Sequence, residues 1–550
     1  MKHQRTYRAF VCRYLRENQE ELIMKLKNKV VSLKNPWVGF ADFIRSHLLL
    51  AAGVGAFLGL IYGGQAFSNY FYIDKEQLVN NPESFYNWGE IGRFGLILIK
   101  KVLGMSWYNP YLAGVLLLIT LWVAAMAAGF LFYSIECHLS APSLCIFVLL
   151  FLVYPTYVEQ FLFQFQAFEV VLAMVFLLVS DWYLVQALQE KNRLAFLASI
   201  PLVVISFGIY QSMVPLQLCL YLGIFLMHVY TGEGEKKIIL SGIGHSVLHF
   251  AFAFGIYESI AKIFFGGSDY LSGQIIWRTG DYRAALIYIQ YYIGTVVKMK
   301  EVCYTPTYNL CWGIGLAALF VLLIRYRWKS FWYGLGLLGV VLSPFFLTFV
   351  MGIGQPYRAQ LTLPLANGVL WLFGIHVISQ ELKGSWKKLT RILLTTIGGI
   401  MIFLNIAPMM RLFYTRDVIG KADEMTAGMI VKELGQIASA NDGKPVIFIG
   451  HRDAMINNAC YDNGLAQYGC STYAVFSAFE MDHTFEPYYF FSSHRILGFF
   501  RTLGFQTFQG PSSEMMPSAY KDSEDMPVWP IEGSVREFDD YIIVKLSSFE

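Results

Sequence analysis

The stretch Leu116–Phe132, LLLITLWVAAMAAGFLF, carries no charged residue and a single hydroxyl, that of Thr120. A helix rises about 1.5 Å per residue and a bilayer core is about 30 Å thick, so about 20 mostly apolar residues suffice to cross it. With its apolar flanks this run is long enough. Val170–Val179 and Leu316–Leu323 are likewise uncharged. One such run fits a large soluble core, but a succession of them does not. The whole chain of 550 residues is 56% hydrophobic and only 15% charged, against about 25% charged in ordinary soluble domains. The fold class expected is mainly α: a polytopic helical membrane protein embedded in the lipid bilayer.

Working outward, the apolar stretches are 46–64, 110–133, 142–156, 165–187, 194–211, 213–230, 238–265, 307–324, 331–350, 361–379 and 391–412, giving about eleven spans. The third and fifth are short enough to be tilted or partly re-entrant. With the N-terminus in the cytoplasm, the inner connections become Ser134–Ala141, Gln189–Arg193, Thr231–Lys237, Arg325–Ser330 and Glu381–Arg391. Four of these five hold basic clusters: Lys191/Arg193, Lys236/Lys237, Arg325/Arg327/Lys329 and Lys383/Lys387/Lys388/Arg391. Cytoplasmic loops carry such an excess, so the threading and its orientation support each other. Residues 1–45 form a basic lead, either amphipathic and lying on the membrane surface or a solvated tail. The region 46–413 is the transmembrane body. An odd number of spans puts 414–550 outside the cytoplasm.

Two outer segments are long, 65–109 and 266–306. Within them Ile91–Leu103 and Ala284–Val297 read as helices lying along the interface. Beyond the last span, Val418–Ala438 has helical apolar spacing, and PVIFI (Pro445–Ile449) and YIIVKL (Tyr541–Leu546) read as buried strands. A small α/β C-terminal domain is expected. The eight cysteines show neither CxxC nor zinc spacing, so no metal or other cofactor is expected. Cys460 and Cys470 would pair only if their domain meets an oxidising compartment. No glycine-rich phosphate loop or Ser/His/Asp order appears, and nothing points to nucleic acid.

Candidate chemistry concentrates on the outer side. The first outer loop holds Asp74 and Glu76, then Glu90 and Arg93. A carboxylate there can act as general base on a sugar hydroxyl, and an arginine can hold a phosphate bidentately; merely solvated loop charge is the plain alternative. Ionisable residues at helix ends speak more clearly, because burying them in hydrocarbon is costly. Glu159, Glu169, Arg358 in GIGQPYRAQ and the turn at Tyr210–Gln211 all fall at the outer ends of spans, as a cavity opening outward would require. For Arg358 the competing reading is a side chain snorkelling to the interface. His245 and His249, at i, i+4, have no evident third ligand and read as packed core histidines, as do Asp181 and Trp182 as structural residues.

These residues carry a resemblance. Asp74, then NWGEIGRFG (Asn87–Gly95), an amphipathic helix and Asn109–Pro110, together with Tyr154–Pro155 followed by Glu159 and ISFGIYQ (Ile205–Gln211), resemble the bacterial serotype-converting glucosyltransferases, the type II O-antigen glucosyl transferase family. MPVWPIEGSVREFDDYIIVKL (Met526–Leu546) looks like the tail of members from Gram-positive bacteria. The resemblance implies a GT-C fold in a bacterial plasma membrane, with a polyprenyl-phosphate-linked sugar as donor and a cell-surface glycan as acceptor. It implies Asp74 as the first-loop base, Glu90 and Arg93 as the ExGR motif, and Arg358 as the phosphate ligand by position. Glu159, Tyr210 and Gln211 would line the substrate site. Two departures stand out: Phe94 replaces the family's usual tryptophan, and Lys75 separates Asp74 from Glu76, leaving open which acid is the base.

Two other classes fit part of the pattern. A transporter or flippase of lipid-linked sugars would also hold charge in an outer cavity, but the inverted repeats common in transporters are not visible. A membrane O-acyltransferase would need a catalytic histidine within a span, for which His245 is the one candidate.

Overall fold

The computed structural model describes residues 35–548, apart from residues 70, 73, 232–235, 267–272, 274, 328–329, 383, 453–476, 480–489 and 506–507. Cys12, Cys460, Cys470 and most of the basic lead therefore lie outside the described residues.

The chain is mainly helical. Among the described residues nine helices are long and apolar enough to cross a membrane: Leu48–Ala66, Pro110–Ile135, Ala167–Glu190, Met213–Thr231, Ile239–Phe265, Thr307–Tyr326, Ser330–Met351, Thr362–Glu381 and Ser385–Leu434. This is a multi-pass membrane protein. The count falls short of eleven for two local reasons. The third stretch is a bent pair, Ala141–Leu152 and Thr156–Leu162, meeting at 58°. The fifth, Arg193–Ile209, is an apolar helix of 17 residues, short for a span.

Helix starts follow capping chemistry. Asn109 Oδ1 accepts from the Leu112 amide at 3.1 Å with Pro110 at the first helical position. Asn192 Oδ1 accepts from Leu194 and Ala195 at 3.0 and 3.2 Å. The bend follows from Pro155, which has no amide to continue the ladder. The carbonyls left over are met from elsewhere: Tyr62 Oη donates to Leu152 O at 2.6 Å, and Asn405 Nδ2 donates to Val153 O at 3.0 Å. Buried backbone acceptors without such partners would be costly.

Pro110–Ile135, Ala167–Glu190, Met213–Thr231 and Thr362–Glu381 form the packed centre, whereas Ile239–Phe265 keeps most of its surface uncovered. In the first long loop a short helix, Lys75–Asn80, is followed by Phe94–Val102; the latter begins three residues later than the sequence pattern implies, with Arg93 at its N-cap. In the second, Tyr282–Val297 starts at Asp281, whose carboxylate accepts from Ala284 N at 2.9 Å.

The expected separate helix from Val418 is a correction. Gly384–Leu434 is a single helix of 51 residues, running through Pro408 and out of the apolar region without a break. Its polar part is held by Lys421–Asp417 at 2.9 Å, one turn apart, and by Asp423, which accepts from Ala478 N at 2.7 Å. Both expected strands form. β1 (Val446–Ile449) pairs in parallel with β3 (Ile542–Lys545), Val446 opposite Ile542; β2 (Val535–Glu537) pairs antiparallel with β3. Every residue of β1 and β3 is buried.

Candidate active site

The first long loop places two carboxylates differently. Asp74 adopts a left-handed conformation, φ 71°, which aspartate tolerates better than most residues. It stands at the N-cap of Lys75–Asn80, yet its side chain caps nothing. It turns instead to Arg495, whose Nη2 lies 2.5 Å from Asp74 Oδ1. Half of the Asp74 side chain stays exposed (49%), while that of Glu76 is 2% exposed. Neither Glu76 oxygen accepts a hydrogen bond among the described residues; Arg495 Nε is 3.6 Å away. Burial pushes the Glu76 carboxyl up to about 7, with Arg495 pulling the other way. Lys75 donates to the carbonyl and side chain of Asn69 at 2.8 and 2.9 Å, and burial brings it down to about 7.

Arg93 sits where the backbone makes room. Gly92 has φ 78°, and a Cβ there would lie 2.8 Å from Tyr257 Oη. Gly95 lets Phe94–Val102 press against Arg193–Ile209, since a Cβ there would be 2.5 Å from Ile205 O. The approach brings the guanidinium over the Tyr210 ring at 4.8 Å and within 3.3 Å of both Gln211 Oε1 and Gln166 Oε1. Gln211 is itself fixed, donating to Ile91 O at 2.6 Å.

Arg358 follows Pro356 in the turn Tyr357–Ala359. It donates to Glu159, which the bend at Pro155 carries inward on Thr156–Leu162, and it lies over the Phe163 ring at 5.0 Å. Burial alone would lower its pKa, but Glu159, then Tyr210 and Asp74, outweigh that and hold it above its ordinary value. Arg358 thus feels both the Tyr210–Arg93 group and the Asp74 group. Glu90 is the exception among the candidates: it is exposed, and its carboxylate has no partner among the described residues.

Other groups were not evident in the sequence. Arg495 and the buried Arg416, which donates to Gln65 and to Ser68 at 3.2 Å, both come from beyond residue 410. Lys100, readable as the basic end of an interfacial helix, is buried against Glu169 at 2.5 Å. His249 packs as expected, 2.8 Å from Ser199 Oγ and 2.6 Å from Tyr221 Oη. His245 does not: it is half exposed, and its one hydrogen bond among the described residues is to Ser241 O in its own helix. Asp181 is buried and accepts from Gln217 at 2.7 Å. Among the described residues, the ligand atoms of Glu136, Cys137 and His138 lie within 4.8 Å of one another, at the far end of Pro110–Ile135 from this site.

A family model described as glucosyl transferase GtrII matches residues 64–377, more than half of the chain. The chain belongs to the GtrII family. Comparison with curated proteins found no match. The GtrII match includes Asp74, Glu76, Glu90, Arg93, Glu159, Tyr210, Gln211 and Arg358, and ends before the long helix from Gly384. Membership makes this protein a membrane glycosyltransferase of the glucosyltransferase type. It implies a sugar donor and a glycan acceptor, in the setting of O-antigen modification. Arg416 and Arg495 lie outside the matched region.

Proposed function

We propose that this GtrII protein moves glucose from a polyprenyl-phosphate carrier to a hydroxyl of a cell-surface glycan, on the outer face of a bacterial plasma membrane. The observation that carries the reading is the setting of Arg358: a half-buried guanidinium at a helix end, paired with Glu159 and within electrostatic reach of Tyr210 and Asp74. That is the set of charges a phosphate leaving group and a base would need.

Asp74 accepts the proton of the acceptor hydroxyl as its oxygen attacks C1 of the sugar. The C1–O bond to phosphate breaks, the phosphate keeps the electron pair, and the anomeric centre inverts. Arg358 and Arg93 hold the departing polyprenyl phosphate. Glu159 orients Arg358; Gln211 and Tyr210 orient Arg93; Glu90 contacts the substrate from the solvent side. No metal enters this scheme. The body 46–413 carries the chemistry in GT-C fashion, with eleven crossings, a cytoplasmic N-terminus and residues 414–550 outside.

The direct test is transfer of labelled glucose from glucosyl polyprenyl phosphate by purified protein in lipid nanodiscs. Release of polyprenyl phosphate in step with labelled glycan supports the reading; use of a nucleotide-linked sugar alone would overturn it. For orientation, a cysteine at Asp525, on the exposed surface, should react with an impermeant reagent in intact cells, and protection there would reverse the topology.

A further inference from the structure

The helix Phe490–Thr502 lies against the first long loop along one of its faces. Arg495, Gly498 and Phe499 are spaced i, i+3, i+4 and so point the same way. Asn80 Nδ2 donates to Gly498 O at 2.9 Å, and Phe71 meets Phe499 with ring centres 4.8 Å apart. Gly498 permits this close approach: a Cβ there would lie 3.0 Å from Glu76 Cγ, a tight contact. This packing delivers Arg495 to both loop carboxylates, 2.5 Å from Asp74 Oδ1 and 3.6 Å from Glu76 Oε1. About half of the Asp74 side chain stays exposed beside this contact.

We propose that Arg495 is a positioning residue for the transfer reaction: the C-terminal segment aims the base by holding Asp74 through Oδ1, so that Oδ2 faces the acceptor hydroxyl. The inference rests on the proposed function and extends the working site beyond the GtrII match. A salt bridge through one oxygen fixes the carboxylate plane, while the second oxygen retains its lone pairs. The C-terminal segment is then part of the catalytic unit, not an appendage that only captures glycan.

The test compares full-length Arg495→Lys and Arg495→Ala with wild type in nanodiscs. A charge-assisted contact of this kind corresponds to about a tenfold to hundredfold loss in kcat for Arg495→Ala, with the KM for donor changed less than about twofold. Lysine at 495 should restore part of the rate, and added guanidinium should restore part of the Arg495→Ala rate. Unchanged kcat would overturn the proposal, and so would a loss that neither lysine nor guanidinium repairs. If wild type transfers no sugar from this donor, it is the proposed function that fails. The link is then read from the infrared carboxyl band that Asp74→Asn removes. That band must shift in frequency in Arg495→Ala, where the contact to Oδ1 is gone; an unmoved band overturns the proposal.

Discussion

Arg358 donates to Glu159 across a separation of 199 residues, and the bend after Leu152 makes the meeting possible. Had the helix Ala141–Leu152 continued straight, Glu159 would lie further along its axis. The pairing gives Arg358 a fixed plane. Arg358→Lys keeps the charge but loses the planar fork, and transfer should fall by about tenfold or more, as loss of a hydrogen bond to a charged group implies. Normal transfer by the lysine variant would return Arg358 to an anchoring role.

Asp74 and Glu76 separate by exposure. Asp74→Asn keeps size and most hydrogen bonding, and loss of a well-placed base typically costs about 10²–10⁴-fold in rate. Glu76→Gln, at a side chain with almost no solvent contact, should cost far less. The measurement is sugar transfer by the two variants side by side. The opposite ranking would move the base two residues along the chain.

Lys100 and Glu169 form an ion pair with side chains 3% and 0% exposed. Removing one partner from a buried pair leaves an uncompensated charge and costs about 3–5 kcal/mol, whereas replacing both with apolar residues is often neutral. Lys100→Met should therefore lower the unfolding temperature strongly, and Lys100→Met with Glu169→Leu should recover most of the loss. Thermal unfolding in detergent would show this; equal destabilisation by single and double variants would count against it.

Stability should also depend on pH through Glu76. Its carboxyl is raised from 4.5 to about 7 in the folded chain by burial. The folded state then binds the proton more tightly than the unfolded state. The contribution is fully present below about pH 4.5 and is lost as pH rises through about 7, on the order of 3 kcal/mol in all. Glu76→Gln should flatten the decline in unfolding temperature between about pH 4.5 and 7. An unchanged slope would show that Glu76 does not set it.

Most apolar stretches were legible because each lies on a helix, and period and length alone mark them; 142–156 was not, since it runs across the bend at Pro155. PVIFI and YIIVKL were legible as strands for the same reason: short buried runs rich in β-branched residues. Composition misled at Val418. The arrival of Asp417, Lys421 and Asp423 marks where the helix leaves its apolar surroundings, not where it ends, because these side chains find partners along and beside it. The candidate residues Arg93, Tyr210, Gln211, Glu159 and Arg358 could be named from their places at helix ends. Arg495 could not. It meets Asp74 across 421 residues, and no local pattern in HRILGFFR announces a partner at that distance. The burial of Glu76 was hidden likewise, since its cover comes from Gly498 in the same helix.

The unbroken helix Gly384–Leu434 has a mechanical consequence. At about 1.5 Å per residue its 51 residues reach about 75 Å, and every residue turns whatever follows by about 100°. One residue inserted near Tyr414 would swing Phe490–Thr502 around the helix axis and carry Arg495 off Asp74. Seven inserted residues would bring back the direction but raise the tail by about 10 Å, lifting Arg495 clear of the loop. Azimuth and height are thus locked to one another by a single shaft, and the length of that shaft is itself a specification of the site.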